Sequence, residues 1–160
     1  VLSLASTYFA TLTLQSFVAL DTESDDNGHI ALMGVRTNGN RIGVEAMSSG
    51  TRDQLYLALR LATLQWRMQQ SEPMPIIADD ILITFDDARS RSTLQALAKL
   101  GESCQIILFT HHRTIADMAS HRAFKGTVFL HTLGTTNESE QNNAEASAQP
   151  PKPENLTLFG

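Results

Sequence analysis

An α/β fold with a mostly parallel sheet is the class this sequence predicts, and three observations predict it. From Ile76 onward, short apolar runs alternate with helix-spaced segments in the order strand, helix, strand, helix, strand. Such alternation implies parallel strands joined by right-handed helical crossovers. Before that point, two strand-like runs, 29–36 and 41–44, flank Asn38-Gly39, a favoured hairpin turn, so an antiparallel portion stands at one side. From about Thr135 the sequence is polar and then proline-rich. Without large apolar side chains such a segment cannot offset its ordering entropy by burial, and a disordered tail is expected. The expected division is a folded lobe over 1–133 and a tail over 134–160.

The elements follow in order. Leu2, Ala5, Phe9 and Leu12 fall three and four apart and read as the last turns of a helix. Phe17, Val18 and Leu20 suggest a strand, and 21–28 a polar, acidic loop. A type I′ turn at Asn38-Gly39 needs positive φ at both positions. Ser48-Ser49-Gly50 breaks the pattern and opens the longest helix, from 51 to about 70. Leu55, Ala58, Leu59 and Ala62 form one stripe, and Leu57, Leu61 and Leu64 widen it, so this helix is expected to be largely buried. Ser71, Pro73 and Pro75 end it. A buried strand is expected over 76–78. The next helix, over 88–100, carries Leu94, Ala96, Leu97 and Leu100 and stops at Gly101, in the manner of a left-handed C′ glycine. A second buried strand over 106–109, a short helix over 113–120 and a final strand over 127–130 complete the lobe.

Composition narrows the function. The 160 residues suit one domain, and 42% hydrophobic content can supply its core. Seventeen acidic against twelve basic residues give a net charge of -5, which argues against a broad basic surface for a nucleic-acid backbone. Cys104 is the one cysteine, so no intrachain disulfide forms, which fits a reducing, cytoplasmic setting. Five histidines without paired cysteines argue against a structural zinc site. No run of about 18 apolar residues appears, so no membrane partner is expected. The chain starts at Val1 rather than methionine, and Val1-Leu2-Ser3-Leu4 lacks the basic leader of a signal peptide.

The chemistry-bearing residues gather around 75–87, P-I-I-A-D-D-I-L-I-T-F-D-D. An apolar strand ending in Asp79 and Asp80 exposes carboxylates at a sheet's C-terminal edge. Asp79 would hold magnesium through water, and Asp80 would orient or deprotonate an attacking water. Alternatively both are solvated loop acids, and adjacent carboxylates also occur in metal-dependent nucleases. The amides and dipole at the helix start after Ser48, Ser49 and Gly50 favour a phosphate, and glycine allows close approach. Taken alone, an ordinary serine cap is the simpler reading. His111, at the exit of the 106–109 strand, could bond a terminal phosphate or a water, or satisfy a loop carbonyl. His112 reads as its solvated neighbour. Asp86 either bridges to a partner subunit or caps the helix that follows.

Each signal is weak alone, but their order is specific. The segments M-S-S-G-T-R-D-Q-L-Y-L-A-L-R-L-A (47–62), P-I-I-A-D-D-I-L-I-T-F-D-D (75–87) and Q-I-I-L-F-T-H-H (105–112) resemble the C-terminal lobe of an ABC-type ATPase head. The nearer resemblance is to bacterial SMC-like, coiled-coil AAA-family ATPases of the YhaN type, related to double-strand-break-repair ATPases. It covers about residues 4–131, and Tyr8-Phe9-Ala10 resembles the family's exit from its coiled coil. The resemblance implies the C-terminal lobe of an ABC/SMC-type P-loop NTPase head, binding ATP and Mg2+ between two dimerised heads and acting in DNA repair or processing. Ser48, Ser49 and Gly50 would be the signature motif touching the γ-phosphate held by the opposite head. Asp79 would be the Walker B aspartate, Asp80 the base that is glutamate in many ABC ATPases, Asp86 the D-loop residue, and His111 the switch histidine. Arg52 and Gln54 would support the signature turn.

One departure bears on activity. No G-x-x-x-x-G-K-[ST] phosphate loop occurs in the chain, nor does the family's glutamine loop. The chain therefore reads as half a head, inactive alone, whose partners would be the Walker A lobe, a second head, DNA and a nuclease subunit. Asn155-Leu156-Thr157-Leu158-Phe159 resembles the peptide with which bacterial DNA-processing proteins bind the sliding clamp, with asparagine in place of the preferred glutamine. Leu156, Leu158 and Phe159 would be its anchors on a flexible tether. A rival reading makes the chain a non-catalytic interaction module recruiting partners through this tail. A third makes Asp79 and Asp80 a metal nuclease, which leaves the serine-glycine turn and His111 unexplained.

Overall fold

Ala5, Phe9 and Leu12 lie on the inner face of helix α1 (Leu2–Leu12) in a computed structural model, which describes residues 1–24 and 28–134. The helix ends in a Schellman turn: Gln15 N–H donates to Ala10 O and Leu14 N–H to Thr11 O. Leu14 and Gln15 take positive φ there without help from glycine. The buried Thr13 hydroxyl donates to Phe9 O at 2.7 Å and accepts from Phe17 N–H at 3.3 Å, steering the chain back toward the core.

Three antiparallel strands follow in spatial order: β1 (Ala19–Ser24), β2 (Ile30–Val35) and β3 (Arg41–Gly43). The acidic stretch expected as a loop from residue 21 is strand through Ser24, with Asp21 opposite Met33 and Glu23 opposite Ala31. Asp21 to Ser24 are all exposed, so this end of the strand meets solvent on both faces and is held by its ladder to β2. Arg41 anchors the arrangement, bonding Asp21 at 3.0 Å and Thr22 O at 3.2 Å. The hairpin turn also differs from expectation. Gly39 has φ +82 while Asn38 stays negative, and Gly39 N–H donates to Arg36 O. This is a three-residue loop with one left-handed position, not a two-residue type I′ turn.

Helix α2 (Ser49–Met68) packs along α1. One stripe is buried, Gln54, Leu55, Ala58, Leu61 and Ala62, whereas Tyr56 and Trp66 are exposed. The helix is amphipathic rather than largely buried, because Leu57, Leu59 and Leu64 flank the stripe and are half-covered. Phe9, Leu12, Phe17, Leu20, Met47, Leu55 and Ala58 form the first core cluster. Tyr8 links α1 to α2 by donating to Gln65 Oε1 at 2.9 Å.

Gly34 sits at the tightest point of this cluster. A Cβ built there lies 2.7 Å from Met47 Cε and 2.8 Å from Phe17 Cδ1. Gly34→Ala is expected to cost about 1–3 kcal/mol of stability, read from a shifted urea midpoint. At Gly43 the nearest atom is Met33 Sδ at 3.8 Å, so Gly43→Ala should stay within about 0.5 kcal/mol. Equal midpoints for the two variants would refute the packing argument.

The second half is the parallel unit: β4 (Ile76–Asp79), α3 (Asp87–Leu100), β5 (Ile106–Phe109) and α4 (Arg113–Ala119). Strands β4 and β5 pair in parallel register, Ile76 with Ile106 through Asp79 with Phe109. They were expected to be buried. Instead only the inner side is covered: Ile76, Ile106 and Leu108 pack on Leu61, Leu97, Leu100 and Cys104, while Ile77 is 69% and Phe109 43% exposed. The expected strand over 127–130 does not form. Val128 packs against Leu82, Leu94, Ile115 and Phe124, but its N–H bonds back to Phe124 O, and Phe129 is 75% exposed. A strand requires a neighbour to complete its ladder, and none lies beside this run among the described residues. Gly101 does follow α3, yet in right-handed conformation, φ -61. Its lack of a side chain matters for space, since a Cβ would lie 3.1 Å from Ala98 O.

Residues Val1–Leu130 form one contact unit. The tail anchors Leu156, Leu158 and Phe159 lie outside the described residues. No helix among the described residues is long and apolar enough to cross a membrane.

Candidate functional site

Parallel register brings the C-terminal ends of β4 and β5 side by side, and this places the candidate residues. Asp79 ends β4 opposite Phe109 and shares the outward face with Ile77, its side chain exposed. The next residue leaves the sheet abruptly. Asp80 has φ +47, a left-handed conformation that aspartate tolerates better than most residues. Its N–H still donates to Phe109 O at 3.0 Å, so the kink is locked to β5.

This conformation turns the Asp80 carboxylate toward the exit of β5, where His111 Nδ1 stands 2.5 Å from Oδ2. Loss of solvent around Asp80 pushes its carboxyl pKa up, but the Thr110 hydroxyl and the His111 ring outweigh it. The group is held below the usual carboxylate range. The second oxygen, Oδ1, is out of solvent with no hydrogen-bond partner. A carboxylate that stays ionised beside an imidazole can order a water or accept its proton.

His112, which looked like a solvated neighbour, belongs to this group. It is half-buried, its Nε2 is out of solvent and unpartnered, and its ring lies 4.1 Å from that of His111. Its backbone N–H donates to the Thr110 hydroxyl at 3.2 Å and it caps α4. The adjacent histidine pair was visible in the sequence. The backbone course that sets His111 against Asp80 and half-buries His112 was not.

The remaining candidates serve helix starts. Ser48 caps α2, its hydroxyl accepting from Thr51 N–H at 3.3 Å and sharing a hydrogen with Thr51 Oγ1 at 2.9 Å. Ser49 and Gly50 form the first turn, and a Cβ on Gly50 would meet nothing within 4 Å. Asp86 caps α3, accepting from Arg89 N–H at 2.9 Å and pairing with its guanidinium at 2.5 Å. The Arg89 N–H bond leads in holding the Asp86 carboxyl below its ordinary range. Gln54 is buried on the inner face of α2, and Arg52 is exposed.

With this geometry in view, the comparisons decide the fold. The SMC head domain from Thermotoga maritima superposes with a TM-score of 0.54 at 16% identity, over 75% of this chain and 40% of that one. By fold, this is an SMC-like head lobe. An SMC head domain from Pyrococcus furiosus, bound to the C-terminal domain of ScpA, gives a TM-score of 0.53 at 19% identity, over 72% of this chain and 29% of that one. A further chain, from work on ATP-driven dimerization and DNA-stimulated activation of SMC ATPases, gives 0.54 at 15% identity, over 92% of this chain and 94% of that one. In sequence, the SMC-like lobe is 31% identical over 134 residues to the uncharacterized protein YhaN of Bacillus subtilis (strain 168). That match covers 82% of this chain but spans only 13% of YhaN. No family model matches the chain.

Proposed function

We propose that this lobe supplies the metal and water side of a composite ATPase site, completed by a phosphate-loop lobe and closed by a second head. The observation that carries the reading is the Asp80–His111 contact across the ends of two parallel strands, with Asp80 locked in a left-handed kink. In this reading Asp80 orients the attacking water and takes its proton, His111 bonds the terminal phosphate, and Asp79 holds magnesium. The outward, exposed Asp79 carboxylate suits a hydrated Mg2+ held through water. When bound, that ion would neutralise charge developing on the phosphate oxygens.

Two further features support the assembly. The β4–β5 sheet has only two strands, which is marginal alone and leaves edges for further strands from a phosphate-loop lobe, and Ile77 and Phe109 leave an apolar face that the added elements would cover. Gly50 is the other. Inside a helix, glycine costs about 0.5–1 kcal/mol relative to alanine, and nothing within this lobe crowds its position. Its bareness fits close approach by a group from outside, the γ-phosphate held by the opposite head. DNA as the cargo of the whole protein, a nuclease subunit, and clamp binding through Leu156, Leu158 and Phe159 are finer proposals. They rest on the sequence resemblance, with the SMC likeness adding support for DNA.

Gly50→Asp tests the signature role without harming the fold. An acid in the first turn complements the helix dipole, so α2 should be at least as stable. Beside a phosphate, the same charge repels. In a complete head assembled with its phosphate-loop lobe, ATP-driven dimerisation should weaken about a hundredfold by light scattering. Undiminished dimerisation would remove Ser48, Ser49 and Gly50 from the interface.

A further inference from the structure

Asp80, His111 and His112 each bring one metal-ligating atom to within 4.8 Å of the others. Two of the three also carry an unsatisfied atom: Asp80 Oδ1 and His112 Nε2 are out of solvent and make no hydrogen bond. A buried polar atom left unpaired costs about 1–3 kcal/mol. A ligand that supplies positive charge would satisfy both atoms, the carboxylate oxygen directly and the imidazole nitrogen in the tautomer that leaves it unprotonated. The His111 and His112 rings lie 4.1 Å apart and tilted by 37°.

The donor set says which cation. Magnesium and calcium take oxygen ligands. Two imidazoles with one carboxylate suit zinc and its neighbours among the divalent transition metals. We propose that Asp80, His111 and His112 bind a divalent ion of the zinc class, separate from magnesium on Asp79, and that its occupancy arrests the head. The binding itself stands on the geometry alone. The arrest rests on the ATPase reading, because the ion would occupy the two groups assigned there to water and phosphate.

The geometry requires one movement. Tetrahedral zinc with bonds of about 2.0–2.2 Å sets its ligand atoms about 3.4 Å apart. Asp80 Oδ2 and His111 Nδ1 now share a hydrogen at 2.5 Å. Binding between them therefore releases that proton to solvent and opens the pair by about 1 Å. The His111 side chain is 69% exposed and can make the swing. Three protein ligands would leave one position of a tetrahedral ion for water. This is an open site of three protein ligands, unlike the closed, cysteine-rich sites that hold small folds together.

The test titrates the 160-residue chain with Zn2+ against a chromogenic chelator, without nucleotide. One ion per chain is expected, with affinity at least about tenfold weaker in His111→Ala and in His112→Ala. His131→Ala should match the parent, and millimolar Mg2+ should not displace the zinc. Imidazole nitrogen resonances of His111 and His112 should shift with one equivalent of zinc, a local readout that does not depend on a variant folding. Unshifted resonances, or full affinity in both alanine variants, would overturn the site. In a complete head, Zn2+ should inhibit ATP turnover at the concentrations that fill the site, and His112→Ala should raise the inhibiting concentration at least about tenfold, measured against its own zinc-free turnover. Zinc binding without inhibition would refute the arrest and leave the site standing. Failure of the head to hydrolyse ATP would refute the ATPase reading and leave the nucleotide-free titration unaffected.

Discussion

Asp80→Asn in a complete head should lower ATP turnover by about 10²–10⁴-fold, the range lost with a positioned general base. Asparagine preserves the size of the side chain, tolerates the φ of +47, and can still bond His111. What it removes is the negative charge and the basic oxygen. Nucleotide-driven head closure should therefore survive while the chemical step fails, so the dimer should persist longer with ATP than in the parent. Single-turnover measurement alongside light scattering separates the two. Turnover within a few-fold of the parent would remove Asp80 from the chemistry. It would leave the carboxylate a structural partner of His111.

Phe9→Ala should destabilise the lobe by about 3–5 kcal/mol. Phe9 is 0% exposed, and its ring centroid lies 4.9 Å from that of Phe17. It stands where α1, the hairpin sheet and α2 meet, so truncation leaves a cavity that no single element can close. Against a typical domain stability of about 5–15 kcal/mol, this is a large fraction. Phe109→Ala is the contrast. Its ring lies 43% exposed on the open side of β5, so in the isolated chain its loss should cost about 1 kcal/mol or less. Chemical denaturation of both variants measures the difference. A Phe9 effect no larger than that of Phe109 would mean that α1 does not hold the first cluster together.

The elements legible in the sequence were those whose cause is local. Leu2, Ala5, Phe9 and Leu12 marked α1 by spacing, and Ser48 and Asp86 marked the starts of α2 and α3 by capping chemistry. Three misreadings share one cause, since each depended on what lies beside the segment. The acidic start of residues 21–24 looked like loop, but β2 supplies a ladder for it. The run over 127–130 looked like strand, but no neighbour pairs with it among the described residues. Ile77 and Phe109 looked buried because an apolar strand resembles any other. Their exposure follows from a sheet of only two strands.

For the candidate site, residue identity and tertiary placement contributed differently. Sequence by itself determined which groups are present: two carboxylates after an apolar run, a serine-glycine turn before a long helix, and a histidine pair at a strand's exit. It also determined the lobe that this order resembles. Only the tertiary structure decided which of these groups touch. Parallel pairing aligns the ends of β4 and β5, the left-handed Asp80 swings its carboxylate onto His111, and the bend at Thr110 draws His112 in as a third member. The physical reason is that Asp80 and His111 stand 31 residues apart. A contact at that separation is created by strand register and one backbone dihedral, neither of which leaves a periodic trace in the sequence.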